Sequence, residues 1–262
     1  MAWANHTIGR VDLDGRLGLR HLRWVIVTKL KLFMATSPDE HVGGPEQAFS
    51  YIRRRGRFTQ GQARAYENLV EQYRVTPEHL IAHSGPIGLE IGFGMGAELL
   101  AWAQQSPNWY LCGVELYQPG IGAMLTRLKS RQLPNVGLID QPAQLVLAAL
   151  PAECLSEVRI FFPDPWPKKR HFKRRLVQVP FVVELHRVLK PGSVVRLATD
   201  WANYGEWMVE QFEQVPGFQL LKDQIRKAHT AEDAAVRSTT KFEARGERLG
   251  HDIRDLVYVK RQ

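Results

Sequence analysis

Cysteine is nearly absent from this 262-residue chain. The two present, Cys112 and Cys154, lack the spacing of metal ligands, so neither a disulfide framework nor a zinc site is indicated and no metal is expected. Both flank apolar runs and read as small buried hydrophobes, and thiols left reduced suit the cytoplasm. A membrane-spanning run is missing too. The stretch from Trp24 to Met34 is apolar, but it carries Lys29 and Lys31, is too short to cross a bilayer, and fits a secretory leader poorly. No internal repeat and no low-complexity tract is present. The G-x-G-x-x-G spacing of a dinucleotide site is lacking, which disfavours a nicotinamide oxidoreductase. Acid is in deficit: 27 Asp and Glu against 35 Lys and Arg leave a net charge of +8, which favours a polyanionic partner.

What remains has the make-up of a soluble globular protein, with 44% hydrophobic and 24% charged residues and length enough for a sizeable core. Residues 1–48 carry little pattern. Met34 leads into a polar stretch and Gly43-Gly44-Pro45, so this part is expected to be a poorly ordered extension, with Met34 nearer the true start. Residues 49–262 then form one domain. Its first segment, 49–62, interleaves Arg53, Arg54, Arg55 and Arg57 with Phe49, Tyr51 and Phe58, and cations beside stacking faces suit RNA.

Beyond it, strands and helices alternate. Ile87–Ile91 reads as a strand, Gly92-Phe93-Gly94-Met95-Gly96 as a turn, and Ala97–Ala103 as the start of a helix. Glycines let the backbone approach a ligand closely. Glu90, two residues before Gly92, would repel a pyrophosphate but suits the cationic amino-acid end of S-adenosylmethionine. A second strand, Trp109–Glu115, ends in an acid about 20 residues past the glycine turn, where a carboxylate can accept from both hydroxyls of a ribose. Helix 121–132, strand Asn135–Ile139, helix 143–150, helix Leu176–Leu189, strand Ser193–Thr199, helix 203–215 and a last strand at Val257–Val259 complete a doubly wound α/β sheet.

The stretch between the fourth strand and the next helix carries the most chemistry. Val158–Phe162 reads as a buried strand that breaks at Pro163-Asp164-Pro165-Trp166-Pro167. The turn places Asp164 and Trp166 at a strand's carboxyl end, where ligands bind in open α/β sheets. Six cations follow in eight residues: Lys168, Lys169, Arg170, Lys173, Arg174 and Arg175. Acid, aromatic and cations together suggest a site for a flat group attached to a polyanion.

Five segments together resemble the bacterial tRNA (guanine-N7-)-methyltransferases: Glu90–Gly96, Phe162–Trp166, Lys173–Arg175, Ala198-Thr199-Asp200-Trp201 and Thr240-Lys241-Phe242-Glu243. The resemblance covers roughly residues 49–259. It implies a Rossmann-like class I methyltransferase with a seven-stranded, mostly parallel sheet and helices on both faces. It also implies S-adenosylmethionine as donor and a guanine in the variable loop of tRNA as acceptor. Position by position, Glu90, Gly92, Gly94, Glu115, Pro142 and Asp164 would bind the donor, and Asp164 would be catalytic. Lys168, Asp200, Thr240, Lys241, Phe242 and Glu243 would hold the substrate, and Arg170, His171, Phe172, Lys173, Arg174 and Arg175 would contact RNA. The chain departs from the family at Pro142, where an acid or amide usually faces the adenine; either the contact there is apolar or through backbone, or Asp140 or Gln141 takes it. Two alternatives stand beside this reading. One is an exocyclic-amine methyltransferase, whose signature has its acid or amide before a pair of prolines, whereas Asp164 lies between two. The other is a non-catalytic RNA-binding protein on the same fold.

Overall fold

In a computed structural model of the chain, the structure describes residues 57–226 and 251–262. The expectations for residues 1–48 and Met34, most of the aromatic and basic segment, and Thr240 to Glu243 lie outside the described residues. Seven strands form one sheet in the order β3-β2-β1-β4-β5-β7-β6. They are β1 (Ile87–Ile91), β2 (Tyr110–Val114), β3 (Val136–Ile139), β4 (Leu155–Phe161), β5 (Leu189–Thr199), β6 (Phe218–Arg226) and β7 (Ile253–Lys260). All neighbours from β3 across to β5 are parallel, and β7 runs antiparallel between β5 and β6. The chain winds outward from β1 to β3, then returns to place β4 on the other side of β1. The carboxyl ends of β1 and β4 thus flank the point where strand order reverses, the usual ligand crevice of such sheets.

The central strands read as continuous apolar runs because both faces are covered. One face packs helices α1 (Gln60–Tyr73), α3 (Ala97–Gln105) and α4 (Gln118–Arg131) around Leu99, Trp102, Met124 and Leu125. The other packs α2 (Pro77–Ile81), α5 (Ala143–Ala149), α6 (Val179–Val188) and α7 (Ala202–Glu213) around Leu80, Val146, Leu185 and Met208. Three elements escaped the sequence reading. Helix α1 starts inside the segment taken as basic surface, fixed by a capping box: Thr59 Oγ1 accepts from the Gln62 amide, and Gln62 Oε1 from the Thr59 amide. The short α2 begins at Pro77 behind the cap Thr76. Strand β6 is an edge strand with mixed exposure, so it lacks the buried run that marks the others. Strand β5 also starts earlier than expected, since its pairing with β4 resumes after an irregularity across Pro191 and Gly192.

The glycine turn is clamped by α4. Arg127 of α4 donates to the Met95 carbonyl, and a methyl group on Gly120 would lie 2.2 Å from the Gly94 carbonyl oxygen. Gly120→Ala gains up to about 1 kcal/mol of helix propensity. The contact is backbone against backbone, however, and overpacking of this kind costs about 1–3 kcal/mol. The variant is therefore expected to unfold at lower urea concentration than the native chain. A midpoint equal to or above the native one would show that α4 and the turn separate freely.

Candidate active site

Gly88 and Glu90 point to the same face of β1, toward α3. A methyl group on Gly88 would strike Trp102, and Glu90, one step further along, is only 3% exposed. Its Oε2 is buried with no hydrogen-bond partner among the described residues. Beside it, Glu98 of α3 is also buried and pairs with Arg159 of β4 at 2.9 Å. Arg159 pairs in turn with Glu157 at 2.7 Å and lies over the Trp102 ring at 3.7 Å; Glu157 also takes Arg196 at 3.0 Å. Burial, and next the charge of Glu98, push the Glu90 carboxyl up to about 8, against the pull of Arg159.

Directly after β1 the chain turns through Gly92, Gly94 and Gly96, with φ of +76°, +55° and +74°. Side chains rarely adopt these angles. Gly92 is exposed, and a methyl group there would meet nothing within 4 Å. Glu115, just past β2, is fixed by three amides: Gly94 to Oε2 at 2.8 Å, and Leu116 and Tyr117 to Oε1 at 2.8 and 3.0 Å. Three of its four acceptor positions are thereby used. One remains, on Oε2, where the sequence had suggested acceptance from two hydroxyls.

These residues fit S-adenosylmethionine. A buried acid lacking a partner on one oxygen matches an ammonium group, an open glycine turn admits a ligand against backbone, and Glu115 retains one acceptor for a hydroxyl. The adenine end is less well supplied. Asp140 Oδ2 is engaged by Arg74 at 3.0 Å and by the Tyr66 hydroxyl at 3.3 Å. The Pro142 carbonyl accepts from Leu145 and Val146 at the start of α5. Gln141 is exposed and carries the remaining side-chain amide there.

Across the crevice, pairing of β4 with β5 ends where the Phe162 amide bonds to the Ala198 carbonyl at 2.8 Å. Phe162 and Trp166 then both take left-handed backbone, φ +51° and +45°. Two non-glycine residues in that region bracket Pro163-Asp164-Pro165, and strain of this kind collects at functional sites. Asp164 itself is exposed. Asp200 follows β5, with its Oδ2 3.9 Å from His251 Nδ1, beyond hydrogen-bond reach. The basic run forms a short 3-10 helix, Lys169–Arg174. Lys168, Lys169, Arg170, Lys173 and Arg174 are exposed, and His171 and Phe172 are partly buried. Arg174 lies over Trp166 at 5.0 Å, and His171 meets that ring edge-on. Arg175 does not belong with the exposed cations, being 1% exposed.

The sequence reading overlooked Glu98, Arg159 and Glu157. An acid in the first turn of a predicted helix, a cation within a predicted strand and an acid just before that strand were visible, but their meeting needs the β1–β4 pairing. Among the described residues no group of three metal-ligating side chains stands together, and no helix is long and apolar enough to cross a membrane.

Comparison with known proteins gives a consistent picture. A family model described as "Putative methyltransferase" matches residues 84–256. A tRNA (guanine-N(7)-)-methyltransferase from Nitrosococcus oceani is 43% identical over 224 residues, covering 82% of this chain and 92% of its own. One from Marinobacter nauticus is 39% identical over 219 residues, covering 80% and 91%. Among solved structures, the 16S rRNA methyltransferase KamB is similar in fold, with TM-score 0.53 and 15% identity over 71% of this chain and 92% of that one.

The Glu90 environment sets a pH dependence. The carboxyl is raised from 4.5 to about 8 in the folded chain, so between those values the folded state binds more protons than the unfolded. Stability therefore falls as pH rises through that window. Glu90→Gln should flatten the slope and exceed the native chain's stability at pH 8 by a few kcal/mol, with the difference shrinking toward pH 5. Parallel stability curves for the two proteins would refute a raised Glu90.

Proposed function

We infer the reaction from kinship and its machinery from the site: the chain belongs to the tRNA (guanine-N(7)-)-methyltransferase family, and it transfers the methyl group of S-adenosylmethionine to N7 of a guanine in tRNA. The observation that carries the machinery is the register of β1 and β4. It ends in the buried Glu90 and glycine turn on one strand and in the strained turn bearing Asp164 on the other.

S-adenosylmethionine, when bound, supplies a methyl group on a sulfonium sulfur that departs as a neutral thioether. Glu90 would hold its ammonium group, Gly92 and Gly94 would admit it against backbone, Glu115 would accept from a ribose hydroxyl, and Pro142, with Gln141 beside it, would hold the adenine. Guanine N7 is an acceptor nitrogen with no proton to lose, so the site needs no strong base. Its task is to align the ring and to offset positive charge. Asp164 does both: its carboxylate accepts from the N–H edge of the guanine and faces the ring as it becomes cationic. Lys168 and Asp200 flank the base, and Thr240, Lys241, Phe242 and Glu243 complete its recognition. Arg170, Lys173 and Arg174 neutralise phosphates, and His171 and Phe172 shape the surface between them. The acceptor is taken to lie in the variable loop. The reduced thiols and the tRNA substrate suit the cytoplasm.

Mass spectrometry of nucleosides from tRNA incubated with the chain and donor should show 7-methylguanosine. A methyl group on an exocyclic amine would overturn the assignment of position, and no methylation would overturn catalysis. Asp164→Ala should lower kcat about 100-fold or more and leave tRNA affinity within a few-fold. Native turnover in that variant would remove Asp164 from the mechanism.

A further inference from the structure

The last residue of the basic run points inward. Arg175 is 1% exposed, while its neighbours Lys173 and Arg174 are exposed. Its Nε donates to the Pro165 carbonyl at 3.0 Å, and its Nη2 to Asn203 Oδ1 at 2.7 Å. Pro165 lies within the strained turn, between Asp164 and the left-handed Trp166. Asn203 lies in the first turn of α7, three residues past Asp200. The guanidinium therefore bridges the two segments that leave the carboxyl ends of β4 and β5.

Three rings enclose it: Phe172 at 3.7 Å, Tyr204 at 4.9 Å and Trp207 at 5.2 Å. Two of those walls are tied to one residue. The Tyr204 hydroxyl accepts from the Val177 amide at 3.2 Å, and Trp207 Nε1 donates to the Val177 carbonyl at 2.7 Å. The third wall, Phe172, sits on the 3-10 helix that presents Arg170, Lys173 and Arg174 to solvent. Arg175 Nη1 is buried with no hydrogen-bond partner among the described residues. A buried cation with an unpaired donor is a poor source of stability. Its forked geometry is well suited to fixing two acceptors relative to each other, which a lysine ammonium cannot reproduce.

We propose that Arg175 is a positioning residue: it locks the Pro163–Trp166 turn against α7, sets the reach of Asp164, and makes no phosphate contact with RNA. The proposal rests on the reading that Asp164 acts on the guanine. It links the surface that meets RNA to the turn that meets the base, because Phe172 belongs to one and stacks on the brace of the other.

The test uses the full chain with Arg175→Lys, Arg175→Ala and Asn203→Ala, and Arg174→Ala as the phosphate-contact comparison. Arg175→Lys keeps the charge but loses the fork, and kcat should fall about 10-fold or more, since small misplacements of a reacting group are costly. Its tRNA affinity should stay within about 3-fold, with an unchanged salt slope, whereas Arg174→Ala should lose about 0.7–0.9 from that slope. Hydrogen exchange at the Asp164 and Trp166 amides should quicken about 10-fold in Arg175→Lys, and in the same direction in Asn203→Ala. Native kcat and native exchange in Arg175→Lys would overturn the brace, as would loss of one phosphate's worth of salt slope in Arg175→Ala. Should Arg175→Ala fail to fold, the lysine and Asn203 variants decide the matter. If the native chain forms no 7-methylguanosine, the reaction itself is refuted, and the exchange rates still decide whether Arg175 holds the turn.

Discussion

A buried carboxyl that has no partner on one oxygen, in the middle of a parallel sheet, is the constraint around which this site is built. Glu90 lies opposite Arg159 in the register of β1 and β4, yet Arg159 is already shared by Glu98 and Glu157. The local cluster holds three acids, Glu90, Glu98 and Glu157, against two bases, Arg159 and Arg196. It is electrically balanced when Glu90 carries a proton and one cation short when it does not. Desolvation of an unpaired carboxylate is expensive, and it raises the Glu90 carboxyl to about 8. An ammonium group beside Glu90, as proposed for the donor, would supply the missing charge. On that proposal, selectivity for a cationic ligand would come from charge inside the core.

That demand reaches outward through packing. Trp102, on which Arg159 stacks, packs so close to Gly88 that a methyl group there would strike it. Helix α3 can begin where Glu98 meets Arg159 only because Gly96 takes a left-handed turn directly before it. The same turn is held from the other side by α4, through Arg127 and the close approach of Gly120. Each glycine serves a different neighbour, and together they hold the donor turn between two helices that are themselves fixed by the sheet.

Much of this was legible in the chain alone. Strands β1 to β3 are short apolar runs, and the placement of Glu90 and Glu115 at strand ends follows from knowing where such runs stop, as that of Asp164 follows from the prolines that end β4. The acceptor count on Glu115 was not legible, because three backbone amides reach it from residues whose turn geometry only the fold defines. Helix α1 carried a readable signal, the Thr59–Gln62 capping box, but the arginines upstream of it drew attention to charge. The engagement of Asp140 Oδ2 was hidden for a similar reason: Tyr66 lies in α1 and Arg74 caps its end, some seventy residues earlier in the chain.

The basic run shows most clearly what one-dimensional reading cannot separate. Six cations in eight residues look equivalent, and counterion release would weight them alike. The 3-10 helix breaks that equivalence. Its tight winding keeps Lys173 and Arg174 outward, while the extended backbone at Arg175 turns the next side chain under the helix and between Phe172 and Trp207. Whether a cation serves a polyanion or the protein's own backbone is then decided by which acceptor is nearer. For Arg174 the neighbour is the face of Trp166 at the rim, with solvent beyond; for Arg175 it is the carbonyl of Pro165. The residue types are the same and the positions adjacent, so the proposed division of labour between binding and alignment would be set by one turn of backbone.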